Sequence, residues 1–191
     1  FHYVGVSTHL TVQEAAYIVE DSDSRVLIGS ASTRNLIVGI EAQLGERCQY
    51  FLVDPNDSGI SHLATRLDEF SSSIPETPRR GASMLYSSGT TGRPKGVKIP
   101  LTDDAPDVPP PRHASLARIF ALTTATVFLD PGPLYHVGPL RFAMAAQREG
   151  GTIVLIRKFD PLAVLAAIES LRVTHALFVP TMFVRLLRLD A

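Results

Sequence analysis

Ala82-Ser83-Met84-Leu85-Tyr86-Ser87-Ser88-Gly89-Thr90-Thr91-Gly92-Arg93-Pro94-Lys95-Gly96-Val97 is the most informative stretch of the chain. Ala82 to Tyr86 predicts a strand, and Val97 to Pro100 predicts the return strand. Between them Gly89, Gly92 and Gly96 let the backbone take positive φ and come close to a ligand. Ser87, Ser88, Thr90 and Thr91 bring four hydroxyls that can donate to phosphate oxygens or bind a magnesium ion. Lys95 adds a compact positive charge, and the backbone amides of such a loop make an anion-binding concavity. An ordinary hairpin turn needs neither four hydroxyls nor a Pro-Lys-Gly exit. The stretch is not a Walker A loop either. That motif opens a helix with Gly-Lys-Ser/Thr, whereas Lys95 lies between Pro94 and Gly96 and a strand follows. The loop itself must form the cradle.

Outward from this loop, helical and strand patterns alternate. Thr11 and Glu14 form a capping box, and Val12, Ala15, Ala16 and Val19 recur at helical spacing behind it. A short buried strand is expected at Arg25–Gly29, a helix over about 32–44, a strand at Tyr50–Val53 and a helix at about His62–Phe70. A polar connection over 71–78 leads to the key strand, and an irregular, proline-rich loop is expected over about 100–112. Alternation resumes with a helix from about Ser115, a strand near Val127, a helix at about Arg141–Gln147 and a strand at Thr152–Ile156. Asp160 and Pro161 read as a helix N-cap and first helical residue. That helix should reach about Leu171, with a strand at His175–Val179 and a last helix opening at Pro180. Strands separated by helices of this length imply an α/β fold of mainly parallel sheets flanked by helices.

Composition narrows the function classes. The 191 residues are 45% hydrophobic and 19% charged with a formal net charge of −1, which recommends no nucleic-acid surface. The longest apolar run, Ile119–Leu129, holds three threonines and is too short to cross a bilayer. A single cysteine, Cys48, excludes an internal disulfide framework and leads us to expect a cytoplasmic setting, with Cys48 itself a small buried apolar residue. The start at Phe1 and the helical pattern running out at Ala191 lead us to expect an internal piece of a longer protein.

Residues Ser87 to Gly96 resemble the signature phosphate loop of the adenylate-forming superfamily, matching every fixed position of Ser/Thr-Ser/Thr-Gly-Thr-Thr-Gly-x-Pro-Lys-Gly. Three further segments look like those of its AMP-forming acyl-CoA synthetases: Leu10–Ser22, Pro133–Gly138 and Thr174–Thr181. The resemblance implies that residues 1–191 are a single partial domain, most of the first half of the large N-terminal domain, without the small C-terminal domain. It implies a fatty-acid (acyl) CoA ligase: a carboxylate attacks the α-phosphorus of ATP, pyrophosphate leaves, and coenzyme A takes the acyl group. ATP, Mg2+, coenzyme A and a small carboxylic acid are the implied partners. By position, Ser87, Ser88, Gly89, Thr90, Thr91, Gly92 and Lys95 form the phosphate-binding set, with Ser87 also the hydroxyl beside Mg2+.

Two departures qualify the match. After Val97 the proline-rich loop stands where many members soon continue to a Thr/Ser-His pair that starts a helix. The lysines are Lys95, Lys98 and Lys158, so the family's catalytic lysine lies outside the chain and the catalytic residue is unknown. The isolated chain is therefore expected to be inactive. A non-catalytic phosphate-binding fragment is the alternative outside the enzymes.

For the acyl pocket the resemblance points to Tyr135, His136 and Gly138. Amino-acid-activating relatives place an aspartate in this region to pair with a substrate ammonium. Tyr135–Gly138 has no carboxylate, which favours a fatty acid, with an aryl acid as runner-up. His136 can equally serve as a structural hydrogen-bonding residue. His2, His9, His62, His113 and His175 lack metal-ligand spacing, and His175 reads as a satisfied core residue. Arg79 and Arg80 read as a solvated loop pair; Phe178, Met182 and Phe183 read as core that could also line an acyl tunnel. Sheet edges left unpaired by the missing half would favour association, a homodimer included.

Overall fold

Thr11 caps helix α1 (Val12–Asp21) through the expected reciprocal pair. Its hydroxyl accepts from the Glu14 amide at 3.3 Å, and a Glu14 carboxylate oxygen accepts from the Thr11 amide at 2.8 Å. The chain, seen here as a computed structural model, is described over residues 1–54, 59–87 and 93–189. It divides into two compact units, Phe1–Ala105 and Pro106–Ala191.

In the first unit the helical spacing of α1 puts Ala15, Ala16 and Val19 into one core with Ile37 and Ile40 of α2 (Arg34–Leu44). Gly39 lets the two helices approach: a Cβ there would lie 2.6 Å from the Val12 Cγ2 methyl. These helices cover a parallel sheet of β2 (Val26–Gly29), β3 (Gln49–Leu52) and β4 (Ser61–His62), with β3 central. Cys48 is buried in that core, and burial pushes its thiol pKa up. The expectation of a buried strand at 25–29 is corrected. Strand β2 is an edge, and Val26 and Ile28 are about half exposed while Leu27 packs against the core. Helix α3 (Leu63–Leu67) is shorter than its pattern suggests; Glu69 and Phe70 already bond back in tight turns.

A second sheet of the first unit orders β1 (His2–Tyr3), β5 (Ala82–Ser87) and β6 (Lys95–Lys98). The β1–β5 pair is parallel and the β5–β6 pair antiparallel. Arg79 and Arg80, just before β5, pair with Asp103 and Asp104, just after β6. The Arg80 side chain is only 13% exposed and donates to Thr102 and Asp104, so it anchors the strand entrance and is not a solvated loop residue.

The second unit holds a parallel sheet of β8 (Thr152–Leu155), β7 (Val127–Asp130) and β9 (His175–Ala176), with β7 central. Helices α4 (Pro111–Ile119) and α5 (Val137–Arg148) pack on Phe128 through Leu116, Phe142, Ala143 and Ala146. Helix α6 (Pro161–Ser170) packs Val164 on Leu129 and Phe159, joined by Phe178 and Met182. Asp160 caps α6, its Oδ1 accepting from the Ala163 amide at 2.8 Å. Helix α7 (Pro180–Leu186) opens at its proline as expected.

Helices α4 and α5 both begin four residues or so before their patterns do. Pro111 starts α4 and Pro139 lies in the first turn of α5. A proline there loses only an N–H that has no helical acceptor, so what reads as a breaker is a start. The irregular loop accordingly ends before Pro111. His175 is half-buried with both ring nitrogens engaged, by the Phe120 carbonyl at 2.8 Å and the Thr174 hydroxyl at 2.8 Å.

Candidate functional site

Ser87 ends β5 and Lys95 begins β6, and the antiparallel register sets them directly opposite each other. Both are exposed, and Lys95 has no ion-pair partner among the described residues. A hydroxyl and an ammonium thus flank the mouth of the loop. Ser88, Gly89, Thr90, Thr91 and Gly92 lie outside the described residues.

The geometry of this mouth is held by side chains 65 to 77 positions away in sequence. The Tyr86 phenol donates to Asp21 Oδ2 at 2.5 Å. The Tyr17 hydroxyl sits 3.3 Å from the Pro94 carbonyl, to which it donates, and 3.4 Å from Asp21 Oδ1. The Arg93 guanidinium lies over the Tyr17 ring, 5.2 Å from its centroid. Helix α1 therefore grips the last residue before Ser87 and the two residues before Lys95. Desolvation, followed by the Asp21 carboxylate, pushes the Tyr86 phenol pKa well up, so it stays a donor.

Gly96 explains the last position of the Pro-Lys-Gly exit. It pairs with Tyr86, and a Cβ on it would lie 2.9 Å from Tyr86 Cζ and 2.4 Å from Met84 Cε. Only a residue without a side chain lets the Tyr86 ring cross the hairpin to reach Asp21.

In the second unit Tyr135, His136 and Gly138 come together where the turn after β7 enters α5. His136 is the N-cap residue of α5 with extended backbone (φ −88°, ψ 146°), and its ring packs on Tyr135 with centroids 4.5 Å apart. Its amide donates to the Pro133 carbonyl at 3.0 Å. A Cβ at Gly138 would meet nothing closer than Leu177 Cδ2 at 3.6 Å, so this glycine keeps a space open. Gly138 lines a groove of about 440 Å3 between α4 and α5.

Asp130 is the functional candidate that the sequence reading missed. It is fully buried at the C-terminal end of β7, the central strand, where parallel sheets place ligands and turns. Its Oδ1 accepts from the Gly132 amide at 3.0 Å, Oδ2 has no partner, and burial pushes its pKa up. Nothing local marks it, because Val127–Asp130 reads as the end of an apolar strand. Among the described residues no three His, Cys, Asp or Glu side chains gather into a metal-holding group. No described helix is long and apolar enough to cross a membrane.

Comparison with known proteins bears directly on this arrangement. The AMP-binding family, described as AMP-binding enzyme, matches residues 1–191. A feruloyl-CoA synthase from Amycolatopsis is 29% identical over 189 residues, covering 95% of this chain and 34% of the relative. A crotonobetaine/carnitine–CoA ligase from Escherichia coli is 27% identical over 195 residues, covering 94% of this chain and 35% of the relative. A solved structure named as a long-chain-fatty-acid CoA ligase, from Rhodopseudomonas palustris, superposes with a TM-score of 0.77 at 26% identity. It covers 97% of this chain and 46% of the other. The chain spans about a third of the length of the curated relatives it matches.

Proposed function

We propose, from the premise that this chain belongs to the AMP-binding enzyme family, that it is part of the large N-terminal domain of an AMP-forming carboxylate–CoA ligase. The observation that carries this reading is the register of Ser87 against Lys95 at the mouth of the loop. Adenylation brings two anions together, the attacking carboxylate and the triphosphate, and then needs charge neutralised on the departing pyrophosphate. Lys95 faces that charge and Ser87 offers a hydroxyl to the phosphates. Ser88, Gly89, Thr90, Thr91 and Gly92 complete the phosphate set. Ser87, an exposed hydroxyl opposite the Lys95 ammonium, would help hold Mg2+, which would supply further charge neutralisation when bound. From helix α1, Asp21 and Tyr17 hold the residues on either side of the loop, Tyr86 and Pro94.

The acid is activated as its acyl-adenylate and then taken by the thiol of coenzyme A. Fatty acids are the first expectation, supported by the absence of a carboxylate from Tyr135–Gly138 and by the Rhodopseudomonas neighbour's name. Aryl acids are the second, supported by the Amycolatopsis relative's name and by Phe142 in the groove beside Gly138. His136 does not itself line that groove; it directly precedes Val137 and Gly138, which do. Coenzyme A-dependent AMP release by the full-length protein, with kcat/KM compared for octanoate and a hydroxycinnamate, tests the reading. Release with neither acid would refute it.

A further inference from the structure

Asp130 ends the central strand β7 and is fully buried, and adenylation as described at Ser87 and Lys95 makes no use of it. Side chains alternate along a strand, so Asp130 shares a face with Phe128, and Phe128 packs against Ala143 and Ala146 of α5. On burial alone an apolar side chain would suit this place better. Asp130 Oδ2 has no hydrogen-bond partner among the described residues, and a buried polar atom without one is costly. The other oxygen has a specific use. In Pro131-Gly132-Pro133 the prolines carry no amide hydrogen, so Gly132 supplies the one backbone donor of this stretch. Asp130 Oδ1 accepts from it at 3.0 Å, closing an Asx turn at the strand end.

The turn is pressed onto α5. A Cβ on Gly132 would lie 2.9 Å from Pro139 Cγ and 3.3 Å from Asp130 Oδ1. Carboxyl, glycine and proline thus form one line of contact from the central strand to the first turn of α5, where Gly138 lies. Further along the turn the Pro133 carbonyl accepts from the His136 amide at 3.0 Å, and the His136 ring packs on Tyr135. We propose that Asp130 is a positioning residue for the acid: through the Gly132 amide it sets the path of 131–136 and the seat of Pro139, and with them His136 and Gly138. This rests on the reading that Tyr135, His136 and Gly138 flank the acid in a carboxylate–CoA ligase. Asp130 does not touch the acid. Its second oxygen takes no part in the role, so an amide serves there as well as a carboxyl.

The test is acid-dependent AMP release by the full-length protein and its Asp130→Asn, Asp130→Ala and Gly132→Ala variants, with octanoate and a hydroxycinnamate as the acids. The ratio of kcat/KM for the two acids does not change with the fraction of enzyme that is folded, so a purely structural loss leaves it where it is. Asp130→Ala should raise KM for the favoured acid and shift that ratio by about fivefold or more, well inside the roughly 100-fold that a displacement of about 1 Å can cost. KM for ATP should stay within about twofold, because the contacts of Asp130 lie in the second unit and the phosphate loop belongs to the first. Asp130→Asn keeps an acceptor for the Gly132 amide and should match the unaltered protein. Gly132→Ala keeps the carboxyl but displaces the turn from Pro139, so it should shift the ratio as Asp130→Ala does. It also decides the matter where Asp130→Ala does not fold. An unchanged ratio in a folded Asp130→Ala or Gly132→Ala variant, a shift in Asp130→Asn as large as in Asp130→Ala, or an equal rise in KM for ATP would overturn the proposal. Absence of acid-dependent AMP release from the unaltered protein would instead refute the functional reading on which it rests.

Discussion

Replacing Tyr86 by phenylalanine removes one oxygen from the device that holds the loop mouth and leaves the ring in place. The phenol donates to the Asp21 carboxylate at 2.5 Å, a charge-assisted bond between elements 65 residues apart. Such bonds contribute about 1.5–3 kcal/mol when shielded, and less where the acceptor can rehydrate. Tyr86 is half-buried but Asp21 is exposed, so about 1 kcal/mol is the expected loss. For a chain of this size that lowers Tm by about 2–4 °C. Asp21→Ala should cost slightly more, because Tyr17 also lies beside that carboxylate. The double variant should then be less destabilised than the sum, by about 1 kcal/mol. Urea denaturation of the four proteins measures this cycle. In the full-length enzyme Tyr86→Phe should raise KM for ATP several-fold and leave KM for the acid unchanged, because only the phosphate loop loses its anchor. Additive losses within about 0.3 kcal/mol, or a change confined to the acid, would refute the reasoning.

Three further outcomes follow from the same geometry. Gly96→Ala should destabilise the hairpin by about 1–3 kcal/mol, read as a lower Tm, because the new Cβ meets the Tyr86 ring as well as the flexible Met84 tip. Burial raises the Asp130 pKa above its unfolded value, so its contribution to stability is greatest in acid. Stability should therefore decline as pH rises through the folded value, and Asp130→Asn, which keeps an oxygen for the Gly132 amide, should flatten that decline in thermal melts between pH 4 and 8. Asp160→Ala should cost about 1 kcal/mol through loss of the α6 cap, measured by urea denaturation, with Asp160→Ser restoring most of it.

Local signals carried much of the architecture. Thr11 with Glu14, and Asp160 with Pro161, are capping patterns whose physics lies within four residues, and both form as read. The hairpin was legible because apolar strand residues stop at a run of hydroxyls and glycines. Its return strand starts at Lys95, two residues before the expected Val97, and the pairing of Lys95 with Ser87 was not legible in the sequence. Exposure was not legible. Val26-Leu27-Ile28 is as apolar as a central strand, yet Val26 and Ile28, which share one face, are about half exposed while Leu27 on the other packs against the core. Proline misled in the opposite direction at Pro111 and Pro139, where the chain needs no amide hydrogen. The grip of Asp21 on Tyr86 and the burial of the Asp130 carboxyl each depend on residues distant in sequence. No spacing rule along the chain announces them.

Carboxylate-dependent exchange of pyrophosphate into ATP by the full-length protein, compared with its Lys95→Ala variant, tests the central claim most directly. The account predicts exchange only when an acid is present, and a rate at least tenfold lower in the variant at equal folded content. Exchange that is independent of any acid, or that is unchanged by loss of Lys95, would contradict it.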